Sequence, residues 1–387
     1  MRIVDVRERS VPISRYADPS LPSGGLTTSA VALVTDVVRD GRPVVGYGFA
    51  SMGRYAQSGL IRERFAPRLL SAHDADLVSA DGQNIDPLRA WTIMMAGEKR
   101  GGHGERCVAV GTLDMALWDA AAKIAGLPLN RFLADRLGRR PEPRVRVYAG
   151  GGYHYPRDDT TRLTDELQRM MGQGYTHAKI KIGSAPLAQD LERVDAALKV
   201  VQAPDRLAVD AMNLYDVEAA LKAAAALAPY GLWWFEDVCA PLDFQAHAAV
   251  AAAYGGRLGA GAALFSADEA KLLDRYGGLR LQRDVLLFDP VHCYGLTGFF
   301  EIVDVLEARG WARSAFWPHG GHLFALHVTS ALGLGGAEAN PFCFEPFGGL
   351  HDGARLVDGR AAPAADAPGI GWELKANAWA LFSTLTA

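Results

Sequence analysis

From about residue 145 onward the chain repeats one pattern, a short apolar run of strand character followed by a segment of helical character. The runs read RVYAGG, HAKIKIG, RLAVDA, LWWFED, RLGAGA, DVLLFDP, SAFWPHGG and PFCFEPF. Their central residues, 147, 180, 209, 235, 260, 288, 317 and 344, are separated by steps of 33, 29, 26, 25, 28, 29 and 27 residues. Each step accommodates one strand and the helix that returns the chain to the same end of a parallel sheet. Eight such runs in succession predict an α/β barrel of the TIM type.

The segments between the runs agree with this. Leu187, Leu191, Val194, Leu198 and Val201 fall on one helical face, as do Leu163, Leu167, Met170 and Met171 ahead of Gly172 and Gly174. Such stripes are helix-on-sheet core. Residues 1–140 mix strand alternation (MRIVDVRERSVPI) with helical stretches (VGTLDMALWDAAAKIAG) and predict a separate α+β capping domain. Residues 141–345 form the barrel unit. Residues 346–387 carry glycine turns and prolines without the barrel spacing, and are expected to fold back on the capping domain.

Charge and cysteine usage narrow the function. With 40 basic and 44 acidic residues the net charge is −4, and no basic run offers a nucleic-acid surface. No apolar run reaches membrane-spanning length, and the amino terminus has no signal-like apolar core. Cys107, Cys239, Cys293 and Cys343 form no CxxC pair, which argues against a zinc ribbon or a disulfide framework. The expectation is a soluble cytoplasmic protein acting on a small molecule, without membrane or nucleic-acid partners.

Barrel active sites sit at the carboxyl ends of the strands. Here those ends carry Lys179 and Lys181, Asp210, Glu236 and Asp237, Asp289, His319 and His322, and Glu345. One acid at a strand end is usually a helix cap or a solvated group; convergence around a ring points to a site. Lys179 and Lys181 flank one isoleucine, so both project to the same face of their strand. A Schiff-base aldolase would also use such a lysine, but an imine-forming site has no need of the acids at the third and fourth strand ends.

A KxK strand, acids on successive strands, then Asp and His on the sixth and seventh resemble the mandelate racemase subgroup of the enolase superfamily. Within it, GRYAQSGLIRERF, GGHGERCVAVGTLDMALWDA, KIKIG, CYGL and PHGGH are most similar to the branch that dehydrates D-tartrate. The resemblance spans essentially the whole chain. It implies an α+β cap over a (β/α)7β modified TIM barrel, and a hydro-lyase reaction on a hydroxy-diacid or acid sugar that begins by abstracting the proton α to a carboxylate, assisted by Mg²⁺. It also implies metal binding by Asp210 and Glu236, Lys181 as base, and His319 as acid oriented by Asp289. Lys179 is expected to contact the substrate carboxylate and, as a like charge, to lower the pKa of Lys181. Glu345 is expected to bind substrate or to pair with Lys179, and His322 to be structural. A homo-oligomer is expected.

Two positions depart from the pattern. The step from Asp210 to Glu236 is 26 residues, and the same step again reaches residue 262, where the family has its third metal-binding carboxylate; this chain has Ala262. Met212 stands where the family usually has Asn. Asp268 and Glu269 are no substitute, because Ser266 and Glu269 read as a capping box. Mg²⁺ is therefore expected to bind weakly. The alternative reading is a homologue that binds hydroxy acids with impaired catalysis or none.

Overall fold

The computed structural model describes residues 1–387. Strands β1 (Ile3–Pro12), β2 (Thr27–Arg39) and β3 (Arg42–Phe49) form an antiparallel meander in sequence order. Its buried face lies on the helix Glu105–Ala125, whose residues 107–122 are all buried because the barrel covers its other side. The approach is close enough to require glycine on both sides. A Cβ at Gly46 would lie 1.9 Å from the Ala116 carbonyl oxygen, and one at Gly111 would lie 1.8 Å from that of Val291.

The barrel consists of β4 (Val145–Gly150), β5 (Ala178–Lys181), β6 (Leu207–Asp210), β7 (Phe235–Glu236), β8 (Leu258–Ala260) and β9 (Val285–Leu286), parallel and adjacent in that order. Helices 159–172, 187–201, 217–227, 244–253, 267–276 and 295–307 follow them in turn. Several begin at side-chain caps, such as Asp216 and Asp243, whose carboxylates accept from the Ala219 and Ala246 amides. The seventh position is the extended segment 316–319. It bonds to β9 through Trp317 N to Leu286 O at 2.8 Å and His319 N to Leu287 O at 3.3 Å. The helix Leu323–Leu332 follows, and then β10 (Ala337–Ala339), which pairs with β4 and closes the ring. Eight strand positions with seven helices make the (β/α)7β form of the barrel.

The eighth strand is thus β10, and not the PFCFEPF segment expected from the sequence. Pro341 and Pro346 deprive that segment of two amide donors, and it runs to the cap instead. Phe344 N donates to Ser14 O at 2.7 Å, and Phe347 stacks on Phe49 at 4.3 Å. The turn into the true strand is made of glycine because Trp317 crowds it; a Cβ at Gly336 would lie 2.2 Å from that ring.

Tyr148, Trp234 and Trp317 fill the barrel interior, with ring centroids 5.2 to 6.1 Å apart. The tail touches both units. Trp379 meets Tyr47 and Trp372 meets Phe49, while β11 (Arg360–Ala361) adds to the edge of β4. No helix is long and apolar enough to cross a membrane.

Candidate active site

Alternation along β5 turns Ile180 out into the layer of helices and sends Lys179 and Lys181 inward. A buried ammonium requires acids, and the neighbouring strands supply them. Lys179 Nζ lies 2.6 Å from Glu236 Oε1, 3.1 Å from Glu338 Oε1 and 3.7 Å from Asp210 Oδ2. Lys181 Nζ donates to Asp210 Oδ2. The remaining oxygens are also engaged, Asp210 Oδ1 by the Met212 amide at 2.7 Å and Glu236 Oε2 by Trp234 Nε1 at 2.8 Å.

These pairings set the charges. Burial works against the Lys181 ammonium, but the Asp210 carboxylate more than offsets it and holds the pKa above the ordinary lysine value; Lys179 counteracts only part of this. Lys179 does act in the expected downward direction, but the attraction of the adjoining carboxylate exceeds the repulsion of the second lysine, so the net shift is upward. Burial likewise raises Glu236 and opposes ionisation of Glu338, but Lys179 brings Glu338 below the usual range. Lys179 is also wholly buried, beneath the cavity and held by three carboxylates, so it is placed to orient acids and not to touch a substrate carboxylate.

A second group lies past the sixth and seventh strand positions. His319 Nδ1 donates to Asp289 Oδ2 at 2.9 Å, and Ser51 Oγ of the cap donates to the same oxygen at 2.7 Å. Burial would push His319 down, but the hydrogen bond to Asp289 raises it. His322 Nδ1 accepts from the Ala325 amide at the start of its helix, which leaves Nε2–H for Ser51 Oγ at 3.1 Å. His292 is buried beside the pair, with neither ring nitrogen hydrogen-bonded and Nδ1 3.6 Å from Asp289 Oδ2. Asp289, His292 and His319 bring ligand atoms within 4.8 Å of one another. Since Asp289 Oδ2 already accepts two hydrogen bonds, the arrangement is that of an oriented imidazole and not a second metal centre.

Both groups border a cavity of about 280 Å³ roofed by the cap. Lys181, Asp210, Asp237 and His319 face it from the barrel, and Arg15 and Arg54 from the cap. Ala262 also lines it, two residues beyond β8, and offers only a methyl group. Asp210, Glu236 and Asp237 bring carboxylate oxygens within 4.8 Å of one another. Asp268 and Glu269 stand apart, at the start of the helix 267–276. There Ser266 Oγ accepts from the Glu269 amide, and Glu269 Oε2 from the Phe265 amide.

Glu345 is not part of this site. Its side chain is 47% exposed, accepts from Asn377 Nδ2, and lies 4.0 Å from Lys375 Nζ, because the segment carrying it leaves the barrel. The acid on the eighth strand is Glu338, whose Oε2 accepts from the Gly320 amide beside His319. The sequence signal for it was an isolated Glu among small residues in GGAEAN. Ser51 and Arg54 lie within the FASMGRYAQSGL loop, where no periodicity distinguishes them.

Comparison with known proteins gives a consistent picture. The family model described as enolase C-terminal domain-like matches residues 162–378. L-talarate/galactarate dehydratase of Salmonella typhimurium is 27% identical over 313 residues, covering 80% of this chain and 72% of that protein. Arabinonate dehydratase of Saccharolobus solfataricus is 29% identical over 217 residues; the match spans about half of each protein, 55% of this chain and 54% of the relative. The solved L-talarate dehydratase from Polaromonas sp. JS666, complexed with Mg and L-glucarate, is 26% identical with a TM-score of 0.73, covering 96% of this chain and 94% of that one.

Proposed function

The chain belongs to the enolase C-terminal domain-like family, and from that premise we propose that it is a metal-assisted hydro-lyase removing water from a tartrate-like hydroxy-diacid. The observation that carries this reading is that Lys181 and His319, on strand positions separated by β4 and β10, border one cavity beside a cluster of carboxylates.

The site fits a hard divalent cation. Its donors are carboxylate oxygens, and four acids, Asp210, Glu236, Asp237 and Glu338, face only two ammonium groups, Lys179 and Lys181; burial and mutual repulsion push Glu236 and Asp237 up, a strain that a bound cation would relieve. Asp210 and Glu236 would hold Mg²⁺, which when bound supplies positive charge for the electron density that proton removal leaves on the substrate carboxylate. Lys181 takes the α proton. Asp210 is what keeps Lys181 protonated in this structure, so neutralising that carboxylate brings the amine towards the range of a working base. The electron pair of the broken C–H bond forms the new C=C bond. The β C–O bond breaks, and His319, held by Asp289 and protonated through it, gives its proton to the departing hydroxyl as water. The resulting enol takes a proton on the former β carbon to become a 2-keto acid. Lys179 fixes Glu236 and Glu338 throughout.

The diacid preference rests on Arg15 and Arg54. Both are partly buried against the cavity, and neither forms an ion pair with any acid of the chain. A substrate carboxylate distal to the reacting carbon would satisfy them.

The test is a screen of tartrate isomers and sugar diacids for 2-keto acid formation with excess Mg²⁺, run alongside α-proton exchange in D2O. Turnover of a diacid supports the proposal, and neither product nor exchange with any of them refutes it. The Ala262 methyl at the cavity wall favours a second reading, binding of a hydroxy acid without turnover. Saturable binding by calorimetry, with no exchange, would select that alternative.

A further inference from the structure

Among the acids around the cavity, Asp237 differs in having no partner. Asp210 and Glu236 each bind a lysine and a second donor, whereas the Asp237 carboxylate takes part in no hydrogen bond or ion pair although only 7% of the residue is exposed. It borders the cavity, with an oxygen within 4.8 Å of oxygens from both other acids. A buried carboxylate left unpaired is strongly unfavourable, so such a group either keeps its proton or meets a cation.

The backbone explains how it reaches that place. Consecutive strand residues point to opposite faces, so Asp237 would ordinarily turn away from Glu236. Instead it takes the left-handed conformation, φ 47°, pinned by its amide on Gly259 O at 3.0 Å and by the Asn213 amide on its own carbonyl at 2.8 Å. Ala262, which lines the same cavity, has no side-chain oxygen to offer.

We propose that Asp237 is the third carboxylate of the metal site, in place of the one missing at residue 262. This rests on the metal-assisted reading above. It makes Glu236 and Asp237 a contiguous pair of ligands at the end of β7, with Asp210 on the adjacent β6, so that β8 contributes none.

Titration of the full chain with Mg²⁺ by calorimetry, and with Mn²⁺ by paramagnetic resonance, tests this in the wild type, Asp237→Asn, Asp210→Asn and Asp237→Asn/Ala262→Glu. Circular dichroism and melting in EDTA check folding, with Asp237→Ser read in the same way should the Asn variant not fold. The expected result is at least a tenfold loss of affinity in Asp237→Asn, and recovery of most of that loss in the double variant. Affinity within twofold of wild type in Asp237→Asn, while Asp210→Asn loses binding, would overturn the inference and leave the metal reading standing. Absence of binding in the wild type at millimolar Mg²⁺ would overturn both.

Discussion

Ser51 Oγ donates to Asp289 Oδ2 at 2.7 Å, the oxygen that also accepts from His319 Nδ1. A cap residue thus shares the carboxylate that orients the barrel's proposed acid. Removing this donor leaves Asp289 a stronger partner for His319. Ser51→Ala should therefore fold normally, slow dehydration about tenfold, and move the His319 limb of the pH–rate profile upward. A slower enzyme with an unmoved profile would reduce Ser51 to a structural contact.

In the proposed reaction Lys181 and His319 serve different steps, so their variants should fail differently. Lys181→Ala should lose both α-proton exchange and dehydration, by about 10³-fold or more. His319→Ala should lose dehydration to a similar degree yet continue to exchange the α proton in D2O. Exchange surviving in Lys181→Ala would remove that lysine from the role of base.

Glu338 and Glu345 make a matched comparison. Glu338 is buried, 3.1 Å from Lys179 Nζ, and holds the Gly320 amide next to His319. Glu338→Gln should cut turnover about 100-fold and destabilise the fold by roughly 3 kcal/mol, since it takes one acid from a buried cation. Glu345→Gln should remain within about twofold of wild type in turnover, as expected of a half-exposed side chain. The reverse order of effects would return the role to Glu345.

That comparison also shows where sequence reading reaches its limit. The barrel was legible because each strand that holds an apolar layer against a helix must be apolar, and the runs recur at steps of 25 to 33 residues. β10 was not, because Ala337 and Ala339 carry no strand-like side chains, and the aromatic run after it imitated a strand. Its true step from residue 317 to residue 338 is 21 residues, shorter than the other steps in the barrel. The ring of charges from Lys179 to His319 could be read from the strand ends. The inward turn of Asp237 and the reach of Ser51 could not, since each depends on a left-handed residue turning a side chain where the strand or loop would not send it.

His327 gives a pH prediction independent of the active site. It is wholly buried; Nδ1 accepts from the Asn130 amide and Nε2–H donates to Ile370 O, both at 3.1 Å. Burial lowers its pKa to about 4. As the pH falls below about 6.5, the ordinary histidine value, the unfolded chain takes up this proton before the folded one does. The stabilising contribution is therefore whole above about pH 6.5 and is lost as the pH falls through about 4, amounting to about 3 kcal/mol. Unfolding free energy measured across this window should fall less steeply in His327→Gln, and an unchanged slope would contradict the assignment.

Arg54, which lines the cavity from the cap, tests the proposed diacid preference. Its guanidinium lies 4.7 Å from the centre of the Phe265 ring, and that of Arg15 lies 5.6 Å from the centre of Tyr153; each fork rests against a ring and has no acid partner. A charged hydrogen bond contributes about 1.5 to 3 kcal/mol, which corresponds to roughly 10- to 150-fold in kcat/KM. Arg54→Ala should lose that factor on a diacid while leaving a monocarboxylate analogue nearly unaffected, so that the ratio between the two substrates collapses. Arg54→Lys should recover only part of the ratio, because a single ammonium cannot reproduce a two-pronged contact. If both substrates decline together, Arg54 acts by holding the cap closed; if neither declines and Arg15→Ala alone lowers the ratio, the distal carboxylate sits against the β1 side of the cap. A ratio unmoved in both variants would remove the diacid from the proposal.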